Sequence, residues 1–106
     1  MVKFIEVERI KKIIITTAFQ NSIPSGLFLK IAECESQLNP KAKNPTSTAS
    51  GIFQFLKSTW DKTIMELGRE LSVFNPVHKT EAAAYLFKKE GTKPWLASYG
   101  CWKNDL

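Results

Sequence analysis

Two glutamates, Glu33 and Glu35, stand two positions apart near the end of a segment with helical spacing, and they do not share a face. Glu35 follows Ile31 by four residues and Phe28 by seven, which aligns it with the apolar side, whereas Glu33 follows Lys30 by three on a more solvated side. A carboxyl group at the margin of a core is desolvated, and the last helical turn adds the negative end of the helix dipole, so both effects raise its pKa. Such a group is a general acid near neutral pH. On periodicity alone, a glutamate that merely caps or pairs at a helix end is the competing reading of Glu35.

The residues that follow Glu35 narrow the chemistry. Ser36 comes next, then Asn39-Pro40, Ala42-Lys43-Asn44-Pro45 and Ala49-Ser50-Gly51-Ile52-Phe53-Gln54, with Gln54 placed 19 positions after Glu35. This order resembles the soluble lytic transglycosylase (SLT) domains of the lysozyme-like superfamily, in which Glu-Ser near a helix end precedes an Asn-Pro and Ala-rich loop and then Gly-hydrophobic-hydrophobic-Gln. Asn75-Pro76 and Ala82-Ala83-Ala84-Tyr85-Leu86 are similar to the family helix that supplies a Tyr beside the catalytic Glu. The resemblance covers nearly the whole chain and departs twice. Thr48 stands where the family often has Gly, and the usual Tyr-Asn-Ala-Gly block is replaced by Pro94-Trp95 through Cys101-Trp102, a tail similar to that of several short wall-cleaving domains.

The resemblance implies a mainly α (α+β lysozyme-like) fold: one domain over residues 1–106, a helical bundle around a substrate groove with a small irregular or β segment. It implies peptidoglycan glycan strands as substrate, with cleavage of the β-1,4 bond between N-acetylmuramic acid and N-acetylglucosamine and formation of a 1,6-anhydro end. Ordinary glycosidases use two carboxylates, but a substrate whose own 2-acetamido group and 6-hydroxyl stabilise and capture the sugar cation needs one. Glu35 would then act as acid and afterwards as base. A hydrolytic muramidase on the same site is the alternative, since water would intercept the same intermediate. Substrate contacts are expected from Ser36, Ser50, Gly51, Phe53, Gln54, Tyr85 and Trp95. Ser36 equally suits a backbone-bonded helix-end hydroxyl, and Gln54 a loop-bracing amide. Tyr85 suits either orienting Glu35 or pairing with Glu81, and Trp95 either sugar stacking or core; Trp60 and Trp102 are assigned to packing.

Four helices, a loop and a tail must position these groups. Ile5, Ile10, Ile13, Ile14 and Ala18 predict an amphipathic helix over about 4–20, and a second helix follows the Asn21-to-Gly26 turn through Leu27, Phe28, Ile31, Ala32 and Cys34 to about Ser36. The two Asn-Pro pairs predict an irregular loop over 39–50, with room for a short hairpin. Ser58-Thr59-Trp60-Asp61 has the form of a capping box opening a third helix that carries Trp60, Ile64, Met65 and Leu67 and stops near Gly68. Asn75-Pro76 opens a fourth that ends at Gly91, and the aromatic tail from Lys93 to Trp102 is expected to pack back on the body.

Composition supports a folding chain: 106 residues, 43% hydrophobic, 24% charged, with seven Phe and three Trp. A net charge of +5 favours an anionic partner without choosing among nucleic acid, lipid and wall polymer. A basic helical nucleic-acid-binding module is the alternative from another class, but the lysine pairs at 11/12, 41/43 and 88/89 fall on different elements, so no nucleic-acid partner is expected. Two Cys and one His do not make a four-ligand zinc site, so no metal and no cofactor are expected, and His78 reads as solvated. No run reaches the ~18 apolar residues of a membrane span. Glu6 and Glu8 occupy what would be a basic leader, so no signal peptide is expected, and a monomer acting on the cell wall is. The tail, folding back near the second helix, is expected to bring Cys101 toward Cys34, either as a disulfide or as two buried thiols.

Overall fold

A computed structural model describes residues 4–72 and 75–106. Helix α1 runs Phe4–Gln20, α2 Ser25–Ser36, α3 Lys57–Leu67 and α4 Pro76–Glu90; a 3-10 segment Lys93–Ser98, a short α5 Tyr99–Trp102 and a 3-10 turn Lys103–Asp105 complete the chain. The fold is mainly α and lysozyme-like.

The α1 stripe that enters the core is Ile10, Ile14 and Ala18, spaced by four and wholly buried, and it meets α2 and α4. Ile5 does not join it: nine residues before Ile14 it points to the opposite side of the helix, and it is 80% exposed. Three consecutive alanines, Ala82 to Ala84, are buried where α4 packs on its neighbours. The centre is aromatic. Phe28 stacks on Phe53 at 4.8 Å, Phe87 meets Phe28 edge-on at 5.9 Å, and Trp95 tilts against Phe53 at 6.0 Å.

Helix α4 starts as its sequence dictates: the Asn75 side chain accepts from the Val77 and His78 amides, and Pro76 takes the first position, where no N–H is needed. Helix α3 does not. It begins at Lys57 with Leu56 in the cap position and no side-chain cap bond, so Ser58 lies inside the helix. The Thr48 hydroxyl accepts from the Lys57 amide instead, at 3.1 Å, supplying from nine residues upstream what a cap residue would have supplied locally. Of the apolar residues that α3 carries, Trp60 is buried and Met65 is 79% exposed. His78 is half-buried, its Nδ1 accepting from the Ser72 amide.

The segment between α2 and α3 is the irregular part. Asn39 and Asn44 each accept from the amide two residues on, which turns the chain at both Asn-Pro pairs. Isolated antiparallel bridges join Lys43 to Ser50 and Ser50 to Phe55. Among the described residues no helix is long and apolar enough to cross a membrane. Cys34 and Cys101 form a disulfide with their Cα atoms 6.0 Å apart, which resolves the two alternatives left open for that pair.

Candidate active site

Glu35 occupies the penultimate position of α2, half-buried. Immediately beyond it the chain turns sharply: Gln37 and Leu38 take left-handed conformations (φ 54° and 61°), the Gln37 amide closes on the Glu33 carbonyl, and Leu38 is buried. Two non-glycine residues in that region are unfavourable locally, and burial of Leu38 offsets the cost. The turn sends the chain into the 39–56 loop, which returns to α2 at Ser36. The Ser36 hydroxyl donates to the Ile52 carbonyl at 2.6 Å and reaches the Ala32 carbonyl at 3.1 Å. Ser36 thus acts as the backbone-bonded alternative describes, tying loop 50–54 to the end of the helix that carries Glu35.

That loop is set by its own bonds. Gly51, buried at φ 82°, donates its amide to the Ala42 carbonyl at 2.8 Å; its left-handed backbone is one that glycine adopts without strain. Ser50 pairs its backbone with Phe55. Gln54 (φ 51°) donates its side-chain amide to the Gly51 carbonyl at 2.9 Å and to the Ala42 carbonyl at 3.3 Å, so it braces the loop and leaves Oε1 without a protein partner among the described residues.

The aromatic expectations need correction. Phe53 is 0% exposed and Trp95 3%, with the Trp95 indole N–H donating to the Phe53 carbonyl at 3.1 Å. Both rings are core rather than stacking platforms, because each is enclosed by Phe28, Phe87 or the other. Tyr85 also lies elsewhere. Its hydroxyl donates to Glu66 of α3 at 3.0 Å, while Glu81, its expected helix-surface partner, is paired with Arg69. Glu66 also takes Lys89 at 2.8 Å; Lys89 first and then Tyr85 hold its carboxyl below the usual range. Tyr85 lines a groove of about 890 Å³ with Lys12, Thr16, Arg69, Glu81 and Lys88, and Glu35 is not among the lining residues of that groove.

The group that does reach Glu35 is Ser98, in the tail. Its hydroxyl lies 2.6 Å from Glu35 Oε2 and accepts from the Trp102 indole N–H at 3.0 Å. Burial raises the Glu35 carboxyl above its usual range, and the Ser98 bond partly opposes this; among the described residues no neighbouring carboxylate adds to the shift. Ser98 was absent from the expected site, although a signal existed. It stands three residues before Cys101, and a Cys101 near Cys34 puts Ser98 within about a turn of the residue after Cys34.

Residues 12–98 match the family described as the transglycosylase SLT domain. The chain is 39% identical over 71 residues to a Staphylococcus saprophyticus protein named probable transglycosylase SceD 2, an overlap of 65% of this chain and 28% of that protein. It is 37% identical over 71 residues to the Staphylococcus aureus protein named probable transglycosylase SceD, an overlap of 65% of this chain and 31% of that one. The chain therefore spans under a third of the length of these relatives. No solved structure matches it.

Proposed function

The chain belongs to the transglycosylase SLT family, and from that premise we propose that it is a peptidoglycan lytic transglycosylase in which Glu35 serves as acid and then as base. The observation that carries the reading is the state of Glu35. It is half-buried at the end of α2, raised by desolvation, and held by a neutral hydroxyl rather than by an ion pair. A glutamate that only caps or pairs a helix end would have a cation or a backbone N–H as partner, and its pKa would be pulled down.

The protonated carboxyl delivers its proton to the bridging oxygen as the bond from the N-acetylmuramic acid anomeric carbon to that oxygen breaks. The departing N-acetylglucosamine residue leaves with a free hydroxyl. The 2-acetamido group stabilises the cationic sugar, the 6-hydroxyl then bonds to the anomeric carbon, and its proton returns to the Glu35 carboxylate, closing the 1,6-anhydro ring and restoring the acid. Gln54 Oε1 and the Ser50 hydroxyl offer hydrogen bonds to sugar substituents on the loop tied to the acid's helix, and the +5 charge suits an anionic wall polymer.

Mass analysis of fragments from purified peptidoglycan tests the proposal. Muropeptides with an anhydro end are the expected result; reducing ends would assign hydrolysis at the same site, and no fragments at all would overturn both. With Glu35→Gln, cleavage falls by ~10² to 10⁴ or more, the usual worth of general acid-base catalysis. Glu33→Gln leaves it near the wild-type rate.

A further inference from the structure

Ser98 is placed with more care than a tail residue needs. Its oxygen is within hydrogen-bonding reach of three groups: Glu35 Oε2 at 2.6 Å, the Trp95 carbonyl at 3.1 Å, and the Trp102 indole nitrogen at 3.0 Å. A serine hydroxyl has one hydrogen to give. The indole N–H occupies one lone pair of Ser98, and the same N–H approaches the Trp95 carbonyl at 3.3 Å, so that carbonyl has a donor without Ser98. The hydroxyl hydrogen therefore goes to the nearer and more strongly accepting group, the Glu35 carboxylate, where the bond is charge-assisted. Trp102 is 1% exposed and anchored in the core, so the geometry is held from behind. On the other side of the carboxyl, Oε1 has no protein hydrogen-bond partner among the described residues.

Resting on the reading of Glu35 as the acid, we infer that Ser98, aimed by Trp102, is a positioning residue that engages Oε2 of Glu35 and so assigns Oε1 as the oxygen that gives and recovers the proton. The consequence for the reaction is directional. When Oε1 has lost its proton to the bridging oxygen, the new negative charge is shared with Oε2, where a hydrogen is already in place to meet it, so no group has to reorganise as the charge develops. When the 6-hydroxyl returns its proton to Oε1, Oε2 is again the engaged oxygen. A carboxyl free to rotate would present either oxygen and would lose part of the benefit of fixed orientation.

The test is a pH profile of kcat/KM on soluble glycan strands for wild type, Ser98→Ala and Ser98→Thr, with melting curves of each. In Ser98→Ala a bond that favours the carboxylate is gone, so the Glu35 pKa rises further and the alkaline limb of the profile moves to higher pH. At the same time kcat falls by roughly tenfold, the scale of one charge-assisted hydrogen bond to a developing charge, while KM changes little. Ser98→Thr, which keeps the hydroxyl, returns both toward wild type. A tail contact with only a structural role would lower the melting temperature and leave the limb where it was. If Ser98→Ala does not fold, Trp102→Phe carries the test: it removes the N–H, frees the hydroxyl to turn to Trp95, and shifts the limb the same way by less. A wild-type limb and kcat in the folded variant, in a protein that Glu35→Gln inactivates, overturn the inference and leave the acid assignment standing. Full activity in Glu35→Gln overturns the acid assignment and the inference with it.

Discussion

Cys34 is bonded to Cys101, and each half-cystine stands near one member of the Glu35–Ser98 hydrogen bond: Glu35 follows Cys34 directly, and Ser98 lies three residues before Cys101. The bond therefore clamps the tail that carries Ser98 to the helix that carries Glu35. It spans 67 residues of sequence, for which the chain-entropy account gives about 4 kcal/mol of stabilisation. Cys101 is exposed, so a small reductant has access. Adding reductant should lower the melting temperature by more than about 10 °C and reduce cleavage at temperatures where the helices persist. Two reactive thiols in unreduced, denatured protein would count against the bond.

Burial raises the Glu35 pKa above its ordinary 4.5, and this fixes the sign of its effect on stability. The folded protein holds the proton to higher pH than the unfolded chain does, so the carboxylate destabilises the fold at neutral pH and this cost disappears as pH falls through both values. Folded Glu35→Gln should melt at or above the wild-type temperature at pH 7, with the gap closing in acid. A variant that melts lower at pH 7 would mean that the carboxylate stabilises the fold.

Lys79 presents the reverse case. Its side chain is 1% exposed, its ammonium lies 4.3 Å from the Trp60 ring centroid and 4.6 Å from that of Phe55, and it has no hydrogen-bond acceptor among the described residues. Burial lowers its pKa to about 7, against 10.5 in the unfolded chain. Between those values the unfolded chain binds more protons, so its contribution to stability rises with pH by up to about 1.4 kcal/mol per unit. Lys79→Met keeps the stem without the charge. It should raise the melting temperature at pH 7 and flatten its dependence on pH between about 7 and 10; a variant less stable at pH 7 would show that the ring contacts outweigh desolvation.

Ser36→Ala should cost about 1 to 3 kcal/mol, because the buried Ile52 backbone loses the hydroxyl that meets its carbonyl. Cleavage should fall by more than the stability loss explains at a temperature well below melting, since loop 50–54 is released from the acid's helix. Ser36→Thr should recover both. Melting curves and initial rates measured together are the check, and wild-type behaviour in Ser36→Ala would remove the tether from the account.

Much of this site was legible where the signal is local. Glu35 could be separated from Glu33 by counting along a helix, the Asn75 cap and Gly91 stop bracket α4, and the Asn-Pro pairs announce their turns. What escaped depends on residues distant in sequence. The start of α3 was misplaced because Thr48 caps it from another segment, and Trp95 could not be sorted between surface and core without knowing that Phe53 lies against it. Tyr85 sits on a helix as expected, yet which residue meets its hydroxyl is decided by the packing of α3 on α4, and that residue is Glu66.

The separations at the acid also order events in time. Glu35 leaves the ribosome 63 residues ahead of Ser98, and Phe53 leaves 42 ahead of Trp95. Contacts that distant close late, because the chain between them must be ordered first. The helix bearing the glutamate is thus made before the residue that orients it, and the Glu35–Ser98 geometry is completed only by the final docking of the tail.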